Sequence, residues 1–585
     1  MSVEAAPAFD ILDQRDLMIA MRDGVRLATN VFLPAQARAV ATGRFSAVVE
    51  RTPYGKDFAL RLPLLRSTFV PAGYAVVVQD VRGRYGSEGR WRPLADDGAD
   101  AADLFAWIAG QPWSDGKVGM VGTSYCGGTQ HAAALAEAPH LAAVVPVDAM
   151  CNPGRFGIRY AGAFELRWLN WAVTVGNPNI AAPELSVDPA NDKRSHAAAV
   201  ERASSDAAGR KALAALPGRV RDVALGLPSS ANDLAPAPDY RAWLVQALAH
   251  GGNDAFWTEM GISVLDHLDA WKDVPAIHVT GAYDSWAGSV CLTFAALAKA
   301  KKSPQRLLFG PWTHGRQFES FSGQAEFGPD AAIDMRAVER RWFDRWMKGI
   351  DNGAERDPAV RVFVMGGGDG RRTPEDRFFV GGRWRDFDAW PPAEGRESAF
   401  HLHPAGRLAS APAAASAPSD FAFDPDDPIP AVGGNVSSQG PLMRAGAYEQ
   451  GRLDARRDVL RFITEPLEEA LDVIGPVAIR LWVSSESSEM DFTAKLVDVW
   501  PSGLALNIAD GIARIAELHR GEPREVTIEP YPTAVRFERG HRIRLDVSSS
   551  NFPRFDINPA APRATNRVFH DPEHPSRLLL QVVQA

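Results

Sequence analysis

The 585-residue sequence predicts an α/β protein: a mainly parallel sheet flanked by helices, interrupted by a helical insertion and followed by an all-β region. Three observations carry this prediction. Strand-like and helix-like segments alternate over the first 150 residues, the rhythm of a parallel sheet covered on both faces. That rhythm breaks between about 150 and 265 and then resumes. From about 355 onward, short alternating segments separated by Pro and Gly turns take over, as in a β-sandwich. The expected boundaries are 1–150 and 266–352 for the two parts of the sheet domain, 151–265 for the insertion and 353–585 for the β region.

The elements follow in order. Phe45–Glu50 is a short apolar run, and Tyr74–Gln79 is continuous and β-branched, as in a strand buried on both faces. Asp97–Ala109 has helical periodicity, with Ala101, Leu104, Phe105 and Ile108 on one side. A turn at Asp115-Gly116 leads into the strand Val118–Val121, then an Ala-rich helix, then the strand Ala142–Val147. In the insertion, helix-like pieces at Arg194–Ala215 and Tyr240–Ala249 are joined by Pro/Ala/Gly-rich stretches, with aromatics dense at the edges. Strands resume at Ala276–Thr280 and Arg306–Phe309, and the amphipathic run Met335–Lys348 closes the region. The β region holds Arg361–Met365, Phe378–Val380, Val477–Val483, Asp491–Val499, Arg524–Glu529, Arg542–Val547 and Arg577–Val582. Pro404–Pro418, rich in Ala, Ser and Pro, reads as a mobile loop.

Composition excludes several classes. With 46% hydrophobic and 23% charged residues, the chain can bury large cores and is not a disordered polymer. Its net charge of −9, without a long Lys/Arg run, argues against a nucleic-acid partner. Three cysteines, Cys126, Cys151 and Cys291, do not make a disulfide framework and fit a reducing compartment. The start, MSVEAAPAFDILDQRD, has no signal-peptide pattern, and no stretch approaches the ~20 apolar residues of a membrane helix. The expectation is a cytoplasmic protein without a membrane partner.

The chemistry centres on VGMVGTSYCG, 118–127. A strand ending in Gly-x-Ser, followed by small residues and a helix, is a nucleophile elbow. The sharp turn forces strained dihedrals on Ser124, so its neighbours must be small. Gly122 meets that demand; Cys126 stands where the common motif has its second glycine, with Gly127 and Gly128 after it. The competing reading is a Gly/Ser turn that merely starts a helix. A serine nucleophile needs a base, and the base an orienting carboxylate, in the chain order Ser, acid, His at the ends of successive strands. Strand Ala276–Thr280 runs into Gly-Ala-Tyr-Asp284, and strand Arg306–Phe309 into Gly-Pro-Trp-Thr-His314. The interval from Ser124 to Asp284 holds the insertion; that from Asp284 to His314 is one helix plus one strand. An N-cap role for Asp284 and a turn role for His314 are the alternatives. One oxyanion donor is expected at the backbone N–H of Tyr125; the hydroxyl of Tyr54, in the loop 50–56, is a candidate for the second.

The chain resembles the serine hydrolases typified by bacterial cocaine esterase, α-amino-acid ester hydrolases, glutaryl acylases and X-prolyl dipeptidyl aminopeptidases. The likeness runs through MRDGVRLATNVFLP (21–34), RTPYGKD (51–57), QDVRGRYGSEGRW (79–91), GTSYCGGTQ (122–130), GAYDSW (281–286), GPWTHG (310–315), DPDDPIPAVGG (424–434) and SSNFPRFDINP (549–559). It implies an α/β-hydrolase core with an inserted helical cap and a C-terminal all-β jelly-roll domain. It also implies a catalytic triad of Ser124, Asp284 and His314, an oxyanion donor at Tyr54, and no metal and no organic cofactor. Asp80, Arg82, Arg84, Ser87 and Glu88 also match the family, and read as a loop tied by Asp–Arg pairs behind the active site.

Enzymes of this group that act on free α-amino acyl groups hold the ammonium with carboxylates. The stretch after Asp284, Ser-Trp-Ala-Gly-Ser, offers none, although Glu165 and Asp254 are exceptions nearby in the insertion. The expected substrate is therefore a small-molecule acyl ester with an apolar or aromatic acyl group, bound by Trp168, Trp171 and Trp286. Cap core is the competing reading for these rings. Amidase, acylase or aminopeptidase activity on the same triad is the alternative, and a non-catalytic ligand-binding relative the remote one. A homodimer is compatible with all of these.

Overall fold

A computed structural model describes residues 9–57, 62–168, 171, 243, 246–437 and 444–584. The first sheet is built from β1 (Asp10–Ala20), β2 (Arg26–Gln36), β3 (Phe45–Thr52), β4 (Ala75–Asp80), β5 (Ser114–Thr123), β6 (Leu141–Val147), β7 (Ala276–Gly281), β8 (Gln305–Gly310) and β9 (Val360–Met365). Pairing places them in the order β1-β2-β4-β3-β5-β6-β7-β8-β9. The β1–β2 and β2–β4 ladders are antiparallel, and every ladder from β4 to β9 is parallel.

Helices α1 (Leu62–Phe69), α2 (Asp97–Ala109), α3 (Tyr125–Leu135), α4 (Ala287–Ala300) and α5 (Met335–Trp346) cover the two faces. The apolar strands sort their side chains with period two, as strand geometry requires. Val48, Val76, Val78, Val121 and Val145 pack with Phe69 of α1 and Trp342 and Phe343 of α5. Their neighbours Val49, Val77, Met120 and Val144 pack with Leu104 and Phe105 of α2, Ala133 of α3 and Phe294 of α4. Each fully buried Val contributes about 1.5–3 kcal/mol of transfer free energy, so register in this sheet is strongly specified.

Four findings differ from the sequence expectation. β1 and β2 were not anticipated: β1 is mostly exposed and bulged between Gln14 and Leu17, so it lacks a clean alternation. Arg361–Met365, expected to open the β region, lies in β9, which pairs in parallel with β8 on one side and antiparallel with Gly382–Phe387 on the other, and touches Val535 through Met365. The insertion carries a β-hairpin, Arg159–Tyr160 against Ala163–Phe164, closed by Ala161 and Gly162, both at positive φ, a two-residue turn suited to a hairpin. Within Pro404–Pro418, Arg407–Ala409 pairs with His401–His403 rather than forming only a loop. The expected helix Arg194–Ala215 lies outside the described residues, as does the start of Tyr240–Ala249; residues 246–249 are helical.

The C-terminal part is all-β. Leu471–Ser485 pairs antiparallel with Arg524–Ile528, Thr533–Phe537, Ala564–Phe569 and Arg577–Val583. A second antiparallel group runs Leu460–Ile463, Arg542–Ser548, Met490–Val499, Ala505–Ile515.

Candidate active site

β5 ends at Thr123 and α3 begins at Tyr125, leaving Ser124 alone at the turn with φ 64° and ψ −121°. A non-glycine residue there is strained, and strain of this kind collects at functional sites. The turn is held on both sides. The Ser124 N–H donates to Val147 O at 2.9 Å, and Ser124 O accepts from Gly128 N (2.9 Å) and Met150 N (3.2 Å). Gly122, at φ 141°, has no substitute: a Cβ there would stand 2.5 Å from Cys126 Cβ. Cys126 is fully buried under the turn, which removes it as a nucleophile in this geometry.

The loops after β7 and β8 are zipped together. Ala282 N–H donates to Gly310 O (2.8 Å) and Tyr283 N–H to Trp312 O (3.1 Å). Gly281 permits this approach, since its Cβ would lie 2.2 Å from Trp312 O. The zip brings His314 Nδ1 to 2.5 Å from Asp284 Oδ2, while Asp284 Oδ1 accepts the Trp286 N–H at 2.8 Å. The Asp284 side chain is wholly buried and His314 is 18% exposed, so the imidazole keeps a face toward solvent. Gly315, next to His314, lies against Thr123, next to Ser124, with its Cβ position 3.7 Å from Thr123 Cγ2. Asp284 and His314 are thus paired at the C-terminal ends of β7 and β8, and the residue after His314 touches the residue before Ser124 at the end of β5.

The oxyanion candidates divide by function. The Tyr125 side chain is fully buried and turned away: its hydroxyl donates to Asp97 Oδ2 (2.8 Å) and accepts from Trp91 Nε1 (3.1 Å) and Leu94 N (2.9 Å). Burial and the neighbouring Asp97 raise that hydroxyl well above its ordinary range. What Tyr125 offers the site is its N–H at the first residue of α3, where helix N–H groups lack intrahelical acceptors. Tyr54 is half-buried, with its own N–H on Thr52 Oγ1 at 3.1 Å.

Residues that the motif reading set behind the site turn out to hold the Tyr54 loop. Asp80 accepts from Lys56 N (2.6 Å) and Gly86 N (3.3 Å), and Arg84 Nε donates to Pro53 O (2.9 Å), so the two bracket Tyr54. Burial pushes Asp80 up to about 6. Arg82 pairs with Asp23 and Asp100, Glu88 with Arg26, and Ser87 Oγ donates to Asp80 O. The Asp–Arg ties thus involve Arg82 and partners outside the motif, while Asp80 binds backbone. Beneath them, buried Arg51 reaches Asp97 Oδ1 (2.9 Å) and Gln79 (3.0 Å), linking β3 to the Tyr125 anchor.

The tryptophans expected to bind substrate are mostly enclosed. Trp286 and Trp168 are 0% and 2% exposed and pack edge to face at 5.8 Å, with Trp168 Nε1 donating to Gly157 O. With so little surface exposed, both rings pack into the core beside the Asp284 loop, as the competing reading of them expects. Trp171 is half-buried and lies between Trp168 (5.1 Å), Trp91 (5.7 Å) and Tyr125 (6.4 Å). Glu165 is committed to Arg167 at 2.7 Å and Arg554 at 3.8 Å. Asp254 caps the short helix Ala255–Thr258 and meets His250 at 2.6 Å.

The sequence reading missed one group, Asp148, which directly follows β6. It is fully buried, and its carboxylate oxygen accepts from Gly315 N and Gln317 Nε2, each at 2.7 Å. A carboxylate placed straight after the apolar strand LAAVVPV was the available signal.

A strained serine at the strand-to-helix turn and a carboxylate-paired histidine on the neighbouring strand ends define the class: a serine hydrolase acting on ester or amide bonds. Residues 23–316 match the X-Pro dipeptidyl-peptidase (S15) family and residues 352–579 the C-terminal non-catalytic domain of X-Pro dipeptidyl-peptidases; the chain belongs to this family. It is 32% identical to cocaine esterase of Rhodococcus sp. (strain MB1 Bresler), over 97% of this chain and 98% of that one. Among solved structures it is similar to an α-amino acid ester hydrolase (26% identity, TM-score 0.76, covering 100% of this chain and 98% of that one). It shares its fold with an aminopeptidase from a Thaumarchaeota archaeon (24% identity, TM-score 0.76, 98% and 97% covered).

Proposed function

We propose that this hydrolase cleaves esters of uncharged apolar or aromatic acids through Ser124, His314 and Asp284. The observation that carries this reading is the 2.5 Å contact between His314 Nδ1 and Asp284 Oδ2 beside the strained Ser124 turn. That contact fixes the tautomer with Nδ1–H toward Asp284 and leaves Nε2 to act as base. His314 takes the Ser124 proton as Oγ attacks the acyl carbonyl. The tetrahedral oxyanion is met by the Tyr125 N–H and the Tyr54 hydroxyl. Collapse expels the alcohol, which receives the proton from His314, and water then attacks the acyl-enzyme by the same route. Asp284 stabilises the imidazolium in both halves.

Commitment of Glu165 to Arg167 and Arg554, and of Asp254 to His250, supports an uncharged acyl group, because neither carboxylate is left to pair with an ammonium. Trp171, half-buried where Trp168 and Trp286 are enclosed, is the aromatic that supports acyl contact. Amide hydrolysis is the second reading, favoured by membership in a family named for a dipeptidyl-peptidase. The two antiparallel groups of the C-terminal part support its reading as a jelly roll, and the interval 151–265 its reading as a cap.

The test is turnover of p-nitrophenyl esters against matched anilides. Ester turnover is expected to exceed that of the anilide and to vanish in Ser124→Ala, and a fluorophosphonate is expected to label Ser124. Full activity in Ser124→Ala would overturn the mechanism. Anilides cleaved as fast as esters would favour the second reading.

A further inference from the structure

We propose that Asp148 is a positioning residue of this site: its carboxyl clamps the turn that carries His314 and acts, beside Asp284, as a second carboxyl governing the charge on the imidazole. The proposal rests on the catalytic reading above and adds a residue to it. Asp148 stands where the pieces of the site meet. Its N–H donates to Val279 O (2.8 Å) in β7, and the preceding residue, Val147, supplies the oxygen that holds the Ser124 N–H. Its Oδ2 accepts from Gly315 and Gln317, both at 2.7 Å, immediately after His314. One main-chain step therefore ties the nucleophile turn, the acid strand and the base turn together. Ligand-type atoms of Asp148, Asp284 and His314 lie within 4.8 Å of one another.

The electrostatics follow from that placement. Burial, reinforced by the charge of Asp284 and opposed by His314, pushes Asp148 up to about 7. Those are the groups whose charge reaches it most directly. Glu165 lies in the same field as Asp284 but is neutralised by Arg167 and Arg554, and Cys151 is pushed up to about 11 and stays neutral. The other oxygen, Oδ1, is buried without a hydrogen-bond partner, which is costly for an ionised carboxylate. While Asp148 holds a proton, His314 faces the single charge of Asp284. When Asp148 ionises, two carboxylates face the imidazole and favour the imidazolium, which cannot act as base. Asp148 thereby delays activation of Ser124 as pH rises.

Asp148→Asn keeps an oxygen for both donors and removes the charge. Its kcat/KM profile for a p-nitrophenyl ester, and the pH dependence of fluorophosphonate labelling, are expected to have an acid limb moved to lower pH by about half a unit or more. Asp148→Ala also loses the clamp, and kcat is expected to fall about 10-fold or more with KM little changed. Gln317→Met provides an independent variant: losing that donor favours the neutral carboxyl, so the acid limb moves the same way. A profile unshifted in folded Asp148→Asn, or in Gln317→Met where the former does not fold, overturns the proposal. Activity retained by Ser124→Ala would instead overturn the underlying reading, whereas an inactive Ser124→Ala beside an unshifted profile overturns only the role of Asp148.

Discussion

Lowering pH through 6.5 destabilises this protein through a pair of histidines that take no part in the chemistry. His131 lies on α3 behind Ser124 and His278 within β7; their rings stack with centroids 6.0 Å apart, both buried. Burial, and for His131 also the charge of His278, holds them at about 3 and about 4, against an ordinary 6.5. A hydrogen bond to Gln305 at 3.0 Å offsets part of the shift for His278. The unfolded chain takes up these protons near 6.5, and the folded chain only near 3 to 4. Stability is therefore complete above 6.5 and lost as pH falls toward 4. At pH 5 the unfolded side chain is about 1.5 pH units below its pKa and the folded one still neutral, so each histidine costs about 2 kcal/mol relative to pH 8. Asp148 and Glu339, both pushed up to about 7 by burial, work in the opposite direction: their cost disappears as pH falls. The whole-protein curve is thus a sum, and a variant isolates one contribution. His131→Gln removes one ionisation whatever its effect on absolute stability. In urea unfolding followed by tryptophan fluorescence, its loss of stability between pH 7.5 and pH 5 is expected to be smaller than that of the parent by about 2 kcal/mol. Parallel pH curves for the two proteins would refute the reasoning.

Three further outcomes are expected. Gly122→Ala forces a Cβ to 2.5 Å from Cys126 Cβ at a φ only glycine favours, so ester turnover should drop about 100-fold or more as Ser124 shifts; near-parental kcat would show that the turn adapts. Tyr54→Phe should lower kcat by about 100- to 1,000-fold with KM little changed, and an unaltered kcat would remove its hydroxyl from the oxyanion site. Asn435→Ala and Tyr531→Phe each release the loop bearing Asp284, through Ala282 O and Ser285 O respectively; kcat should fall about 10-fold while labelling and turnover decline together, and unchanged kinetics would make these contacts incidental.

Much of the site was legible because its chemistry sits at strand ends. Ser124, Asp284 and His314 each follow a short apolar run with a glycine before them, and the structure explains those glycines: Gly122 clears Cys126, Gly281 clears Trp312 O, and Gly310 clears the Trp312 ring. What was not legible depends on the direction a side chain takes. Asp80 and Arg84 were readable as a tied loop, but not as the bracket around Tyr54, because their partners are main-chain atoms of Lys56 and Pro53 that no pattern marks. Trp168 and Trp286 were placed in the right region, yet aromatic character alone does not distinguish a ring facing substrate from one closing the core behind it. Asp148 belongs to no spacing motif. β1 was hidden by its exposure and bulge, and β9 by an alternating pattern that suits either sheet.

The C-terminal β region is best understood from where it touches the loop that carries Asp284. Asn435 Nδ2 donates to Ala282 O, Tyr283 OH to Asn507 O at 3.2 Å, and Tyr531 OH to Ser285 O at 2.6 Å. These contacts engage residues on both sides of Asp284, whose own side chain is sealed from water. A further set secures the insertion: Phe164 N–H to Asp556 Oδ1 at 2.8 Å, Leu166 N–H to Arg554 O at 3.1 Å, and Arg514 N–H to Ala161 O at 3.0 Å. At their centre, Arg554, fully buried, joins Asp510 of the β region to Glu165 of the insertion. Buried charges of this kind contribute little net stability when paired, but removing one partner is strongly destabilising, about 3–5 kcal/mol. They therefore act as a register between segments more than as glue. An α/β sheet can place Asp284 and His314 at adjacent strand ends by itself, but the loop after β7 must also be held against its own flexibility to within a few tenths of an ångström. In this chain the zip of Ala282 and Tyr283 onto Gly310 and Trp312 is joined by contacts from outside the sheet, so the β region shares in fixing the geometry of the Asp284–His314 pair.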